Sequence, residues 1–187
     1  MAAKAKFYAY SKSLYPVHYS NFKIDIKIRK ELYMAMIVKI LLWVCDSWAL
    51  STVHLNKLKA FHNNCARSLC RCPMDLVQER HVKTAELHRQ LNMPGIVVLI
   101  TVGQLRFLTR IAKMDESRVT RQVMNSQVVR TKDTNIKGGN KLASRSAYRN
   151  ALHSGGVMSD EENKVGILTD TWTRRLCNPK IGEVILR

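Results

Sequence analysis

Residues 51–72 read STVHLNKLKAFHNNCARSLCRC, and in this stretch Leu55, Leu58, His62, Cys65, Leu69 and Cys72 recur at steps of three and four. Steps of that size return a side chain to one side of an α-helix, which turns once in 3.6 residues. A strand would instead place its apolar residues at every second position. The stretch is therefore expected to be a helix with a continuous seam, packed on a neighbouring helix. Ser51 stands at its start, where a hydroxyl accepts from a free backbone N–H. Pro73 stops it.

The same period extends outward in both directions. Upstream, Ile28, Leu32, Ala35, Met36, Ile40 and Trp43 are expected to share the buried face of a helix. Downstream, a helix is expected over 79–91, ending before Pro94, and Pro94 then opens another. Ile96, Leu99, Ile100, Gly103, Phe107, Ile111 and Met114 share a face of that helix. Its β-branched first half, 96–102, also suits a strand, but the period continues past Gly103 and favours helix. A short helix is expected over 117–125. Residues 127–143 change character: Arg130, Lys132, Lys137 and Lys141 sit among Thr, Asn and Gly138-Gly139, as in a basic, flexible linker. Residues 144–153 suggest a helix ending at Gly155-Gly156. Ser159 and Glu162 have capping-box spacing ahead of a last helix towards Arg175.

The expected class is all-α: a small helical bundle followed by a basic linker and a helical C-terminal segment. The expected organisation is a lead-in at 1–27, where Pro16 breaks any helix, a helical domain at 28–126, the linker at 127–143 and a helical tail at 144–187.

Charge sets the partner class. Lys and Arg number 31 against 14 Asp and Glu, giving +17 and a pI near 10.0. A field of that sign attracts polyanions, either nucleic acid or an anionic membrane. The most apolar runs, 40–45 and 96–102, are well short of the roughly 20 residues needed to span a bilayer, so no membrane role is expected. Five cysteines, Cys45, Cys65, Cys70, Cys72 and Cys177, with no apolar core of a signal peptide in 1–12, point to a reducing, intracellular setting.

The residue patterns exclude several chemistries. His62, Cys65, Cys70 and Cys72 do not have the spacing of a zinc site, and one straight helix cannot aim all four at a point. Asp160, Glu161 and Glu162 suit the N-terminus of a helix rather than a metal. The pairs Gly138-Gly139 and Gly155-Gly156 lack the strand-to-helix setting of a phosphate loop. No cofactor and no metal are expected. Trp43 and Trp48 are expected in the core, with base stacking as the alternative. Arg106, Arg110 and Lys113 step by four and three, so they share one helix face, and Arg118 and Arg121 follow. These five are the candidate nucleic-acid contacts.

Three blocks also carry a resemblance. The run 41–50, LLWVCDSWAL, is similar to the stretch just downstream of the polymerase palm in non-LTR (LINE-type) retroelement reverse transcriptases, where it commonly reads apolar-apolar-aromatic-Gly-Cys-Glu-Ser/Thr-Trp. Lys57-Leu58, Phe61-His62 and Cys65-Ala66-Arg67 resemble that family's next helix, and 105–115, LRFLTRIAKMD, resembles a third block. Trp43, Cys45, Trp48, Phe61, His62, Cys65 and Phe107 carry the match, which covers about half of the chain. The chain departs from the pattern at Val44, where the family has glycine, and at 100–103, which is usually arginine-rich.

The resemblance implies a thumb-like and connector region beside a template-primer duplex, with metal held by carboxylates of a Phe/Tyr-Ala-Asp-Asp motif. That motif is not in this sequence. In the family it lies upstream of the first block, so a missing palm is the implied partner and no catalytic residue is carried over. The expected function is a non-catalytic reverse-transcriptase fragment that binds RNA or DNA by charge. The alternative is a helical interaction or structural protein that self-associates or docks on a partner through an exposed apolar seam.

Overall fold

A computed structural model describes residues 25–72, 78–79, 81–128, 143–160 and 169–178. The protein is all-α, and no strand occurs among the described residues. In chain order the elements are α1 (Ile26–Leu32), a π-helical stretch (Tyr33–Val38), α2 (Lys39–Leu41), a 3₁₀ turn (Cys45–Ser47), α3 (Thr52–Leu69), α4 (Thr84–Gln90), α5 (Ile96–Ala112), α6 (Val119–Val128), α7 (Ala143–Ser154) and α8 (Thr169–Cys177). The chain divides into two compact units, Met1–Trp43 with Leu55–Ile96 and Val44–His54 with Val97–Arg187. Residues 28–126, expected as one domain, contribute to both. Most of the expected linker lies outside the described residues.

Local chemistry sets the helix ends. The Asp25 carboxylate accepts from Lys27 N at 3.1 Å and caps α1. Ser51 Oγ accepts from His54 N at 3.4 Å ahead of α3, as its position suggested. Three helices close with the same paired bonds. After α3, Cys72 N donates to Arg67 O and Arg71 N to Ser68 O; Met93 N and Asn92 N do the same to His88 O and Arg89 O after α4. After α7, Val157 N donates to Leu152 O and Gly156 N to His153 O. This closure puts one residue in the left-handed region, here Arg71, Asn92 and Gly156. α4 is shorter than the expected 79–91, and it begins only after His81, which takes a positive φ.

In the first unit the seam of α3 faces inward as expected: His62, Cys65 and Leu69 are buried, Leu55 and Leu58 half-buried. The expected face from Ile28 to Trp43 requires correction. Ile28, Met36, Ile40 and Trp43 are exposed, and Arg29, Tyr33, Ile37 and Val38 are buried instead. The inward positions 29, 33 and 37 keep the step of four but lie one residue along from the expected 28, 32 and 36, and Tyr33–Val38 winds as a π-helix. The sequence stepped through the apolar residues and passed over a buried arginine, whose Nη1 donates to Leu69 O at 2.5 Å and completes the end of α3.

The second unit has an apolar core of Leu105, Leu108, Ile111 and Ala112 from α5, Met124 from α6, and Tyr148, Ala151 and Leu152 from α7. Val157, Met158, Trp172 and Leu176 complete it. Phe107 and Met114 are partly buried against this core. α5 is helical throughout, so the β-branched 96–102 run does not form a strand. Burying its apolar face outweighs the small helical disadvantage of Val and Ile.

Candidate nucleic-acid interface

In the second half of α5 the inward positions are Gln104, Leu105, Leu108, Ile111 and Ala112. At 3.6 residues per turn, Arg106, Arg110 and Lys113 fall on the opposite side, and all three are exposed. Two buried contacts fix the orientation of the helix. Gln104 Nε2 donates to Trp48 O at 2.9 Å, so the amide is satisfied where it is buried. Gly103 lies so close to Cys45 that a Cβ there would stand 2.7 Å from Cys45 Sγ.

The five candidate residues do not behave alike. The Arg110 side chain is 69% exposed, 3.6 Å from Asp46 and about 6.0 Å above the Phe107 ring. A pair that open to water holds the guanidinium by little, about 1 kcal/mol or less, so a phosphate competes readily for it. Lys113 and Arg118 are exposed. Arg121 is placed differently: its side chain is 13% exposed, Nη1 donates to Met114 O and Nη2 pairs with Glu116 at 2.9 Å. It ties α6 back to the end of α5, which removes it from the surface group. Between these helices Asp115 accepts from Ser117 Oγ at 2.6 Å and Ser117 N at 2.8 Å, and these bonds hold its carboxyl below the ordinary carboxylate range.

The motif residues also separate. Cys45 and Cys65 are buried, and Phe61, Trp48 and Phe107 are half-buried. Trp43, expected in the core, is 77% exposed. His62 lies in a buried polar chain that the sequence did not reveal. Tyr33 Oη is 2.8 Å from His62 Nδ1, and His62 Nε2 is 3.1 Å from Pro94 O. The carbonyl only accepts, so Nε2 carries the proton and Nδ1 accepts from the phenol. Burial favours this neutral ring by lowering the imidazole pKa. Burial also pushes the Cys65 thiol up to about 12. The His88 ring is tilted against that of His62, centroids 5.2 Å apart, and its nitrogens face Met93 O and Asn63 Oδ1.

These groups are closed in and satisfied by protein, an arrangement that positions helices rather than exposes a nucleophile. Among the described residues, no group of three or more His, Cys, Asp or Glu is arranged to hold a metal ion, and no helix is long and apolar enough to cross a membrane. No protein-family model, no curated protein and no solved structure matches the chain.

Proposed function

We propose that this chain is a non-catalytic, nucleic-acid-binding helical piece of reverse-transcriptase type, gripping RNA or DNA through phosphates. The observation that carries the reading is the exposed row Arg106, Arg110 and Lys113, opposite the buried side of α5, in a chain of net charge +17. Arg118 extends the charge beyond the helix. A rigid helix with a packed back presents its cations at fixed spacing, which suits a backbone of regularly spaced anions.

The reverse-transcriptase part of the reading has a separate support. Val44 has φ 61 and ψ 24, a left-handed conformation costly for a β-branched residue and free for glycine. The family that the 41–50 block resembles carries glycine at this position. The geometry of the turn therefore fits the family pattern better than the residue now occupying it. Against the competing reading, an exposed apolar seam on α3, stands the burial of His62, Cys65 and Leu69, while Leu55 and Leu58 are half-buried.

The test is a salt titration on a labelled duplex. With about five phosphates neutralised, the slope of log K against log salt is expected at about −4.5, from roughly −0.9 per phosphate. Changing Arg106, Arg110 and Lys113 together to Gln is expected to reduce the slope towards about −1.8 by the same rule, with helix content unchanged because Gln is a comparable helix former. Binding insensitive to salt, or a slope unmoved in the triple variant, refutes the proposed surface.

A further inference from the structure

Trp43 has the largest exposed indole surface of the three tryptophans: Trp48 is half-buried and Trp172 is 1% exposed. Its backbone is fixed all the same. Leu42 N donates to Val38 O at 2.8 Å and Trp43 N to Ile40 O at 3.3 Å, closing the helix just before the left-handed turn at Val44. The ring thus projects from a held backbone with its faces in water. Lys39 is one helical turn earlier and exposed, beside Ile40, which is also exposed. The run 26–41 carries Lys27, Arg29, Lys30 and Lys39 against the single acid Glu31, and of these cations Arg29 is buried on Leu69 O.

We infer that Trp43 is a stacking platform for an unpaired base, with Lys39 contacting the adjoining phosphate, so that the chain prefers single-stranded over duplex nucleic acid. The inference rests on the nucleic-acid reading above and narrows its substrate class. An indole face left open at a basic helix end matches the two surfaces of an unpaired nucleotide: a flat π-face and an anion. A duplex offers no such match, since its base faces are stacked inside and only base edges reach the grooves. Base–aromatic stacking does not discriminate strongly among bases, because every base has a π-face.

The experiment uses the full chain and an oligothymidylate about 15 nucleotides long, with a duplex of equal length at the same salt. Titration with the oligothymidylate is expected to quench tryptophan emission. Trp43→Ala is expected to remove most of that quench and to weaken single-strand binding roughly tenfold, about 1.4 kcal/mol. Duplex affinity and helix content are expected to stay unchanged. Trp43→Phe, which keeps an aromatic face, is expected to retain most of the affinity.

If wild type binds both nucleic acids equally without quenching, the stacking inference falls and the phosphate reading stands. If it binds neither, both fall. A quench that persists in Trp43→Ala, or equal losses on single strand and duplex, also overturns the inference. So does an emission shift on anionic phosphatidylserine vesicles with no response to oligothymidylate, which would assign the exposed indole to a lipid surface.

Discussion

The two units bury their interiors by different chemistry. In the unit containing α3, the middle is polar at its key points: Arg29 ends on Leu69 O, and Tyr33, His62 and Pro94 form a line of hydrogen bonds beside the Cys65 thiol. In the unit containing α5 and α7, the buried cluster is almost wholly aliphatic and aromatic, closed by Trp172 and Leu176. An apolar cluster takes its stability from area removed from water and is indifferent to pH. A buried polar line is specific in geometry, costs heavily when one member is lost, and titrates. The difference teaches that one chain can hold two kinds of core, distinguishable by what disturbs them.

The strongest way to break the comparison is to remove the largest member of the apolar cluster. Trp172→Ala is expected to cost about 4 kcal/mol, within the roughly 3–5 typical of such truncations, read as a shift in urea midpoint. A loss below about 1 kcal/mol would mean that Trp172 is not the closing member of that cluster.

The polar line sharpens the comparison through pH. Burial lowers the folded pKa of His62 below its ordinary 6.5, so the native state binds fewer protons than the unfolded chain. Its contribution is fully present above pH 6.5 and is lost as pH falls below that value, at up to about 1.4 kcal/mol per pH unit. Amide protection along Tyr33–Val38 is expected to drop between pH 7 and 5, and His62→Gln, which still accepts from Tyr33, is expected to flatten that dependence. An unchanged profile in the variant would assign the titration elsewhere.

The smallest expected effect is at the left-handed turn within the 41–50 block. Val44→Gly relieves a left-handed β-branched residue and is expected to stabilise by about 1 kcal/mol, the left-handed penalty less the extra entropy of glycine. A destabilised variant would show that the Val44 side chain contributes more by packing than its backbone costs.

The fold was legible where period and burial coincide. The inward set of α3, His62, Cys65 and Leu69, was readable from spacing alone, and so were Ile100 and Ile111 on α5. The α1 face was not, for two physical reasons. The stretch Tyr33–Val38 winds as a π-helix where an α-helix was expected, and Arg29 and Tyr33 are buried because distant groups satisfy them. The hydrophobic period contains neither fact. On the surface, the common face of Arg106, Arg110 and Lys113 followed from steps of four and three. The role of Arg121 did not, because its partner Met114 O is a backbone carbonyl, and a carbonyl has no signature in sequence.

The close approach of Gly103 to Cys45 couples mutation to chemical damage. The thiol is buried, and burial together with the neighbouring Asp46 carboxylate raises its pKa, so little thiolate is present to be oxidised. Were an oxygen added to that sulfur, it would enter a space already filled to the glycine hydrogen, since even a Cβ at 103 would stand 2.7 Å from Sγ. A methyl group at residue 103 and an oxygen atom on residue 45 would then be two forms of one lesion, each pushing α5 away from the turn that Gln104 holds through Trp48 O. Ageing of the protein by oxidants and drift of its gene would meet at the same contact.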